Sequence, residues 1–550
     1  MTKNQFTTLL ITYLPLLVAL AVLAPLLARN PFSNRTLIPN FEPFPDALYY
    51  VQPPHCLLKG FGWELCRTWE TNVSTITPPG YSLALLPFFT IHNDTRMFYF
   101  ANSALAFLSV CLLFALVKKI APNFLIQLLV LLLFVTNFYT YWVPTLAMAE
   151  NLAVPLFLLG LFLVSDTPTL LRATMLASTA FALYQTKHAL LPLTITFMAA
   201  SGVQYWSVLQ KSSTFKKHLH LWKFGISALT LVGLLLAAYY NLHTISWVFS
   251  SSFFKTTLSS TDGVWFSVAF FPKHFPAYLS TLVGSSQRFL WEFTPLMPAV
   301  VGVGGIVGSS VAIWKLKKLR FLYATVLLST ILHIAFMSTF YALDVRYIYH
   351  VFPAMLVGST AVLEVGRTLA AKHLHPISLS AGVVLLLLAL SVSSAVRLKQ
   401  QVGLNLRHSE SPWWFHAVTE TSQYFSGKQF NEQPVVITAI PPFLVDYYGQ
   451  DRFMVLPLSA QQDFHQYLPA IWGPGEYSNL TALYKSYLSS GRELYITNYG
   501  TAGVGYIAES FEQVAIDFTI VEVQKGCYEL CNLYRVLEKD TVQDSTTLVQ

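Results

Sequence analysis

Only 11% of this chain is charged, so every ionisable side chain beside an apolar run needs a reason. Asp46 is the one carboxylate in PFPDALYYVQPP, set among prolines and aromatics. Following Pro45, it can cap the helix that ALYY begins, because an Asp side chain accepts from the orphan amides of a first turn. It can equally be the centre of a site, where a carboxylate takes a proton from a group within hydrogen-bond reach. Glu150, in AMAENLAVPL, has two readings as well: a structural cap or ion pair at a helix start, or a group that positions an acceptor. Lys187 and His188 are adjacent in LYQTKHALLPL, where a lysine either snorkels to headgroups or serves a site. In DVRYIYHVFP, Arg346 either pairs with Asp344 or faces a ligand. Tyr347 and Tyr349 there either join an aromatic belt or donate hydrogen bonds.

The elements that hold these residues are read from composition. Of 550 residues, 54% are hydrophobic, more than a soluble core can hide, so the bilayer is the expected solvent. The net charge of +7 falls in short basic clusters between apolar runs, which excludes a nucleic-acid surface and follows the positive-inside rule. A ruler of roughly 20 apolar residues finds about eleven spans. They are Thr8–Leu27, Met97–Val117, Asn123–Trp142, Ala149–Ser165, Arg172–Gln185, His188–Trp206, Phe224–Leu242, Phe293–Trp314, Phe321–Tyr341, Ile348–Gly366 and Ile377–Val396. With a cytoplasmic N-terminus, the short inner loops hold Lys118, Lys119, Arg172, Lys216, Lys217, Lys315, Lys317, Lys318 and Arg320, and the longer outer loops are sparser in cations. The first segment lacks a small-x-small cleavage site and is expected to stay as a helix. An odd span count then puts the C-terminal tail outside.

Two outer connections, 28–96 and 243–292, contain GYSLALLPFF and VWFSVAFF, runs too short to span and expected to lie at the interface. After residue 396 the pattern changes to short strands alternating with helices, which predicts an exported α/β domain over 397–550 with a mainly parallel sheet, beyond a membrane domain over 1–396. Cys111 reads as a core filler, while Cys56, Cys66, Cys527 and Cys531 fall outside and are disulfide candidates, with local pairs 56–66 and 527–531 the simplest. The sequons at Asn34, Asn72, Asn93 and Asn479 carry no functional weight.

With these segments in order, FPDALYYVQPPHCLLKGFG and TPPGYSLALLPFF resemble the first outer loop of the C-type glycosyltransferase superfamily, closest to its aminoarabinose transferases and protein O-mannosyltransferases. AMAENLAVPLFLLGLFLV is similar to that family's fourth span, LYQTKHALLPL to the turn before its sixth, and DVRYIYHVFPAMLVGS to the Arg-Tyr stretch that opens a late span. The resemblance covers most of residues 1–396. It implies a polytopic helical membrane enzyme with about eleven transmembrane helices, outer juxtamembrane helices and an exported C-terminal α/β domain. It implies a polyprenyl-phosphate-linked sugar donor and a lipid, glycan or protein acceptor. Asp46 would be the general base toward the acceptor hydroxyl. Lys187, Arg346, Tyr347 and Tyr349 would hold the departing lipid phosphate.

Many members follow the loop acid with a second one; here that position is Ala47, which weakens the case for a divalent metal, with only Glu42, Glu64 or Glu70 as substitutes. The rival reading is a transporter or lipid flippase, with His333 and Glu364 as its in-membrane ionisable groups. A third is a non-catalytic scaffold displaying the tail, which leaves the first loop unexplained.

Overall fold

A helix satisfies its own backbone bonds, the condition that hydrocarbon imposes, and most of the apolar chain folds accordingly. The computed structural model describes residues 3–26, 46–63, 65–68, 71–73, 77–211, 250–258, 264–285, 294–370, 413–440, 452–458, 480–502, 505–526, 529 and 531–539. After α1 (Lys3–Leu23), the connection over 28–96 contributes α2 (Asp46–Leu58), the short hairpin β1 (Leu65–Thr68) and β2 (Thr71–Val73), and α3 (Gly80–Ile91). The bundle continues through α4 (Phe98–Ile120), α5 (Phe124–Val135), α6 (Phe138–Trp142), α7 (Glu150–Val164), α8 (Leu170–Thr186) and α9 (Leu191–Lys211). Helix α10 (Phe271–Thr281) belongs to the connection over 243–292, and α11 (Ala299–Lys315), α12 (Arg320–Met337) and α13 (Val351–Ala370) follow.

Thr95–Ile120, Arg320–Met337 and Val345–Leu369 are long and apolar enough to cross a membrane. The expected spans Phe224–Leu242 and Ile377–Val396 lie outside the described residues. Asn123–Trp142 departs from the straight span expected: α5 and α6 meet at a 61° bend. The cause is local. Thr136 Oγ1 donates to Leu132 O at 2.6 Å where α5 ends, and the Asn137 side chain accepts from the Tyr139 amide at 2.9 Å and starts α6. Asn137 also donates to Leu296 O at 2.8 Å, pinning the bend to the segment before α11.

Helices α11 and α13 pack through small residues, as helices in lipid do. A Cβ added at Gly308 would stand 2.1 Å from Gly358 O, and one at Gly305 would stand 2.7 Å from Met355 Cα. Ser359 Oγ donates across the seam to Val301 O at 2.9 Å. The described residues of the connection over 243–292 are stitched onto the corner after α12. Ser267 N donates to Thr339 O at 2.7 Å, Tyr341 N to Trp265 O at 2.8 Å, and His274 Nδ1 to Phe340 O at 2.8 Å. Burial lowers the pKa of His274, and its carbonyl partner fixes the proton on Nδ1.

In the tail, α14 (Trp413–Phe425), α15 (Leu480–Ser489) and α16 (Gly505–Asp517) accompany a five-stranded sheet of β3 (Val435–Thr438), β4 (Met454–Pro457), β5 (Leu494–Thr497), β6 (Thr519–Gln524) and β7 (Leu533–Leu537). Its order is β4-β3-β5-β7-β6. The sheet is mixed, which corrects the mainly parallel expectation. β3 pairs in parallel with β4 and β5, but β7 lies antiparallel to both β5 and β6. Strands β6 and β7 are only eight residues apart, and among the described residues no helix separates them, so their connection returns as an antiparallel pair. Tyr49, Tyr50 and Tyr81 of the first connection share one buried apolar cluster with Ala417, Phe425 and Tyr495 of the tail.

The seam gives the first prediction. Gly308→Ala forces backbone apart and lowers unfolding stability in detergent by on the order of 1–3 kcal/mol. Gly202→Ala in α9, where an added Cβ meets nothing within 4 Å, serves as the control and leaves the melting temperature unchanged or higher.

Candidate functional site

The site begins with backbone that is not α-helical, a 3-10 turn over Val143–Thr145 followed by an irregular run to residue 149. Between α6 and α7 the chain runs through residues 143–149, where Val143, Leu146, Ala147, Met148 and Ala149 are all buried. Carbonyls there need donors that water cannot supply. Asn102 of α4 donates to Pro144 O at 3.2 Å and Leu146 O at 2.7 Å. Asn151 of α7 shares its amide among Val143 O, Leu146 O and Met148 O at 3.0–3.2 Å. The Asn102 oxygen accepts from the Tyr81 hydroxyl of α3 at 2.7 Å. Burial pushes that hydroxyl well above its ordinary range, so it remains a donor. Tyr81 meets Tyr50 of α2 edge-on at 5.2 Å. Thus α2, which Asp46 opens, is tied through one aromatic pair and one amide network to the segment that delivers Glu150.

Lys187 arrives from the opposite side. It sits in an extended break (φ −162°) between α8 and the 3-10 turn His188–Leu190. The break is fixed by a close approach: a Cβ added at Gly80 would stand 2.5 Å from Gln185 O. Only glycine lets the start of α3 lie against the end of α8, which explains the glycine in TPPGYSLALL.

Glu150 and Lys187 meet as a salt bridge of 2.7 Å, with side chains 8% and 17% exposed. The Lys187 ammonium lies 4.4 Å from the Tyr347 ring centroid, within cation–π range. Together with Tyr349, His333 and His350, these residues line a cavity of about 10 Å³, room for one water-sized group. Tyr349 donates its hydroxyl to Thr140 Oγ1 at 3.1 Å. His333 Nε2 bonds Tyr347 O at 2.8 Å, and the His333 and His350 rings meet edge-on at 4.3 Å. A carbonyl only accepts, so Nε2 of His333 carries the proton and its Nδ1 is a bare acceptor.

Of the residues singled out from sequence, Glu150, Lys187, Tyr347 and Tyr349 therefore come together. Arg346 does not line the cavity; its amide donates to Asp344 Oδ1 at 2.9 Å and its Nε to Oδ2 at 2.6 Å, the pairing weighed for it. His188 also stands apart, stacked on Tyr184 at 4.7 Å. Asp46 opens α2, but its side chain lies outside the described residues, as do Glu42, Glu64 and Glu70. Cys56 and Cys531 are each disulfide-bonded and Cys111 is free; the side chains of Cys66 and Cys527 lie outside the described residues. Among the described residues no group of three or more His, Cys, Asp or Glu could hold a metal ion. Glu364, the other in-membrane acid, pairs with Arg367 at 2.7 Å. Sequence reading missed the Asn102 and Asn151 braces and His350, although His350 stands within DVRYIYHVFP.

No family model and no curated protein matches the chain. Solved structures do. ArnT from Cupriavidus metallidurans bound to undecaprenyl phosphate superposes with a TM-score of 0.53 at 11% identity, covering 97% of this chain and 98% of that one. ArnT in the apo state gives 0.50 at 12% identity over 95% and 97%. The Archaeoglobus fulgidus oligosaccharyltransferase tethered with an acceptor peptide containing the NVT sequon gives 0.51 at 9% identity over 96% of this chain and 74% of that one. The chain thus shares its fold with ArnT and with the oligosaccharyltransferase.

Two stability experiments check this geometry. Asn102→Leu takes the side-chain donor from Pro144 O and the acceptor from the Tyr81 hydroxyl, while Leu146 O keeps Asn151 and the Met148 amide, and it costs about 1–3 kcal/mol for each group left unpaired, read by unfolding in detergent. Lys187→Met leaves the Glu150 carboxylate alone and costs about 3–5 kcal/mol, whereas adding Glu150→Gln recovers most of that loss.

Proposed function

We propose that this protein is an integral-membrane glycosyltransferase that moves a sugar from a polyprenyl-phosphate donor to an acceptor hydroxyl on the extracytoplasmic face. The N-terminus is cytoplasmic and the tail over 397–550 is exported. The observation that carries the reading is convergence. Lys187 and the Tyr347–Tyr349 stretch, far apart in sequence, line one cavity with Glu150, in a chain that has the fold of ArnT and of an oligosaccharyltransferase. The ArnT structure holds undecaprenyl phosphate, and a lipid phosphate of that kind suits a cavity with an ammonium and phenols at its wall.

In the proposed step the acceptor oxygen attacks the anomeric carbon while Asp46 takes its proton. The new glycosidic bond forms as the bond to the lipid phosphate oxygen breaks, and the lipid phosphate leaves with that electron pair. Lys187 meets the charge that develops on the leaving group. Arg346, held by Asp344 beneath Tyr347, supports that wall instead of contacting the phosphate. The transporter reading relied on His333 and Glu364. His333 lines the same cavity and Glu364 is paired to Arg367, so the two form no shared path.

Full-length protein in detergent, given a polyprenyl-phosphate monosaccharide and a hydroxyl acceptor, releases lipid phosphate. Asp46→Asn slows that release by at least about a hundredfold. Release at the wild-type rate from the variant removes Asp46 from the role of base.

A further inference from the structure

The cavity is electrically balanced as it stands. Its two charged lining residues, Glu150 and Lys187, are paired to each other, and Asp344 and Arg346, which do not line it, form a second pair of their own. A site with no net charge does not attract a phosphate through its field, and the Lys187 ammonium is shared between a carboxylate at 2.7 Å and the Tyr347 ring. The space is also too small. At about 10 Å³ it admits one water-sized group, whereas a phosphate carries four oxygens around phosphorus. Either a lipid phosphate never reaches Lys187, or the Glu150–Lys187 pair opens to receive it.

A second observation decides between these. Removing Glu150 from Lys187 is costly only if the carboxylate has nowhere else to go. His350 lines the same cavity, is 4% exposed, and its Nε2 has no hydrogen-bond partner. A neutral imidazole with its proton on Nε2 is a donor that a carboxylate can accept from. His333 cannot serve, because its proton is already given to Tyr347 O and the nitrogen it leaves unpartnered, Nδ1, is an acceptor.

We infer that Glu150 is an internal stand-in for the lipid phosphate. Its carboxylate occupies Lys187 until a phosphate displaces it, then turns to His350 Nε2. The inference rests on the reading of the cavity as the donor-phosphate site, and it gives Glu150 a positioning role in that site. It implies selection for ligands that compete well for an ammonium: a phosphate headgroup displaces the carboxylate, and the hydroxyl of a free polyprenol does not.

The test uses the full chain in lipid nanodiscs with undecaprenyl phosphate as the probe and undecaprenol as the phosphate-free control. Glu150→Gln keeps the shape of the side chain but removes the competing charge, and tightens undecaprenyl phosphate binding by at least about fivefold. His350→Phe weakens binding in the wild-type background and has little effect in the Glu150→Gln background, a coupling that mere damage to the fold does not produce. Phosphate-dependent binding by wild type, with no gain in a Glu150→Gln variant whose melting temperature is unchanged, overturns the exchange and leaves the donor site standing. Should Glu150→Gln prove too unstable to assay, equal effects of His350→Phe and Lys187→Gln on undecaprenyl phosphate and undecaprenol overturn it. No preference for undecaprenyl phosphate over undecaprenol in any variant overturns the donor site itself, and the exchange with it.

Discussion

The whole site depends on seven residues of buried backbone, a 3-10 turn over Val143–Thr145 and an irregular run over 146–149. Residues 143–149 cross the interior between α6 and α7, where a carbonyl without a donor would cost about as much as a lost hydrogen bond. Two side-chain amides meet that demand, Asn102 from α4 and Asn151 from α7. The same interactions place Glu150 at the cavity, because α7 begins where the braced segment ends. They also bind the outer connection to the bundle, because Asn102 uses its oxygen for Tyr81. One satisfied network therefore fixes α3, the start of α7 and, through Tyr50, the helix that Asp46 opens.

How legible this was in the sequence depends on the range of the interaction. Span-length apolar runs were readable because burial in lipid is written in composition, and α4, α12 and α13 lie close to their expected places. The helix over GYSLALLPFF was readable for a similar local reason, and so was the change to short strands and helices in the tail. The bend at Thr136 and Asn137 was not, because VTNF inside an apolar run reads as two tolerated polar residues until both side chains are seen turned onto backbone. The antiparallel β7 was hidden because strand direction depends on a partner far along the chain. Among site residues, Lys187 and Glu150 stood out as rare charges at span ends, but nothing local states that they face each other across 37 positions. Asn102 and Asn151 were silent because a single amide in an apolar helix carries no spacing signature. Arg346 shows how far a local clue reaches: Asp344, two residues away, did claim it.

The glycine seam between α11 and α13 divides the walls of the cavity by stiffness. His350 and Tyr349 stand immediately before α13, whose backbone lies against α11 with no side-chain layer to deform. His333 is carried by α12 and is tied by its ring to the Tyr347 carbonyl, so that wall moves as a unit or not at all. Lys187 is different. It is the hinge point between α8 and the turn that leads to α9, and its backbone is held there by Leu183 O on one side and the Leu190 amide on the other. The lysine wall is therefore the one set by single backbone bonds and the Gly80 approach, with no helix seam behind it among the described residues.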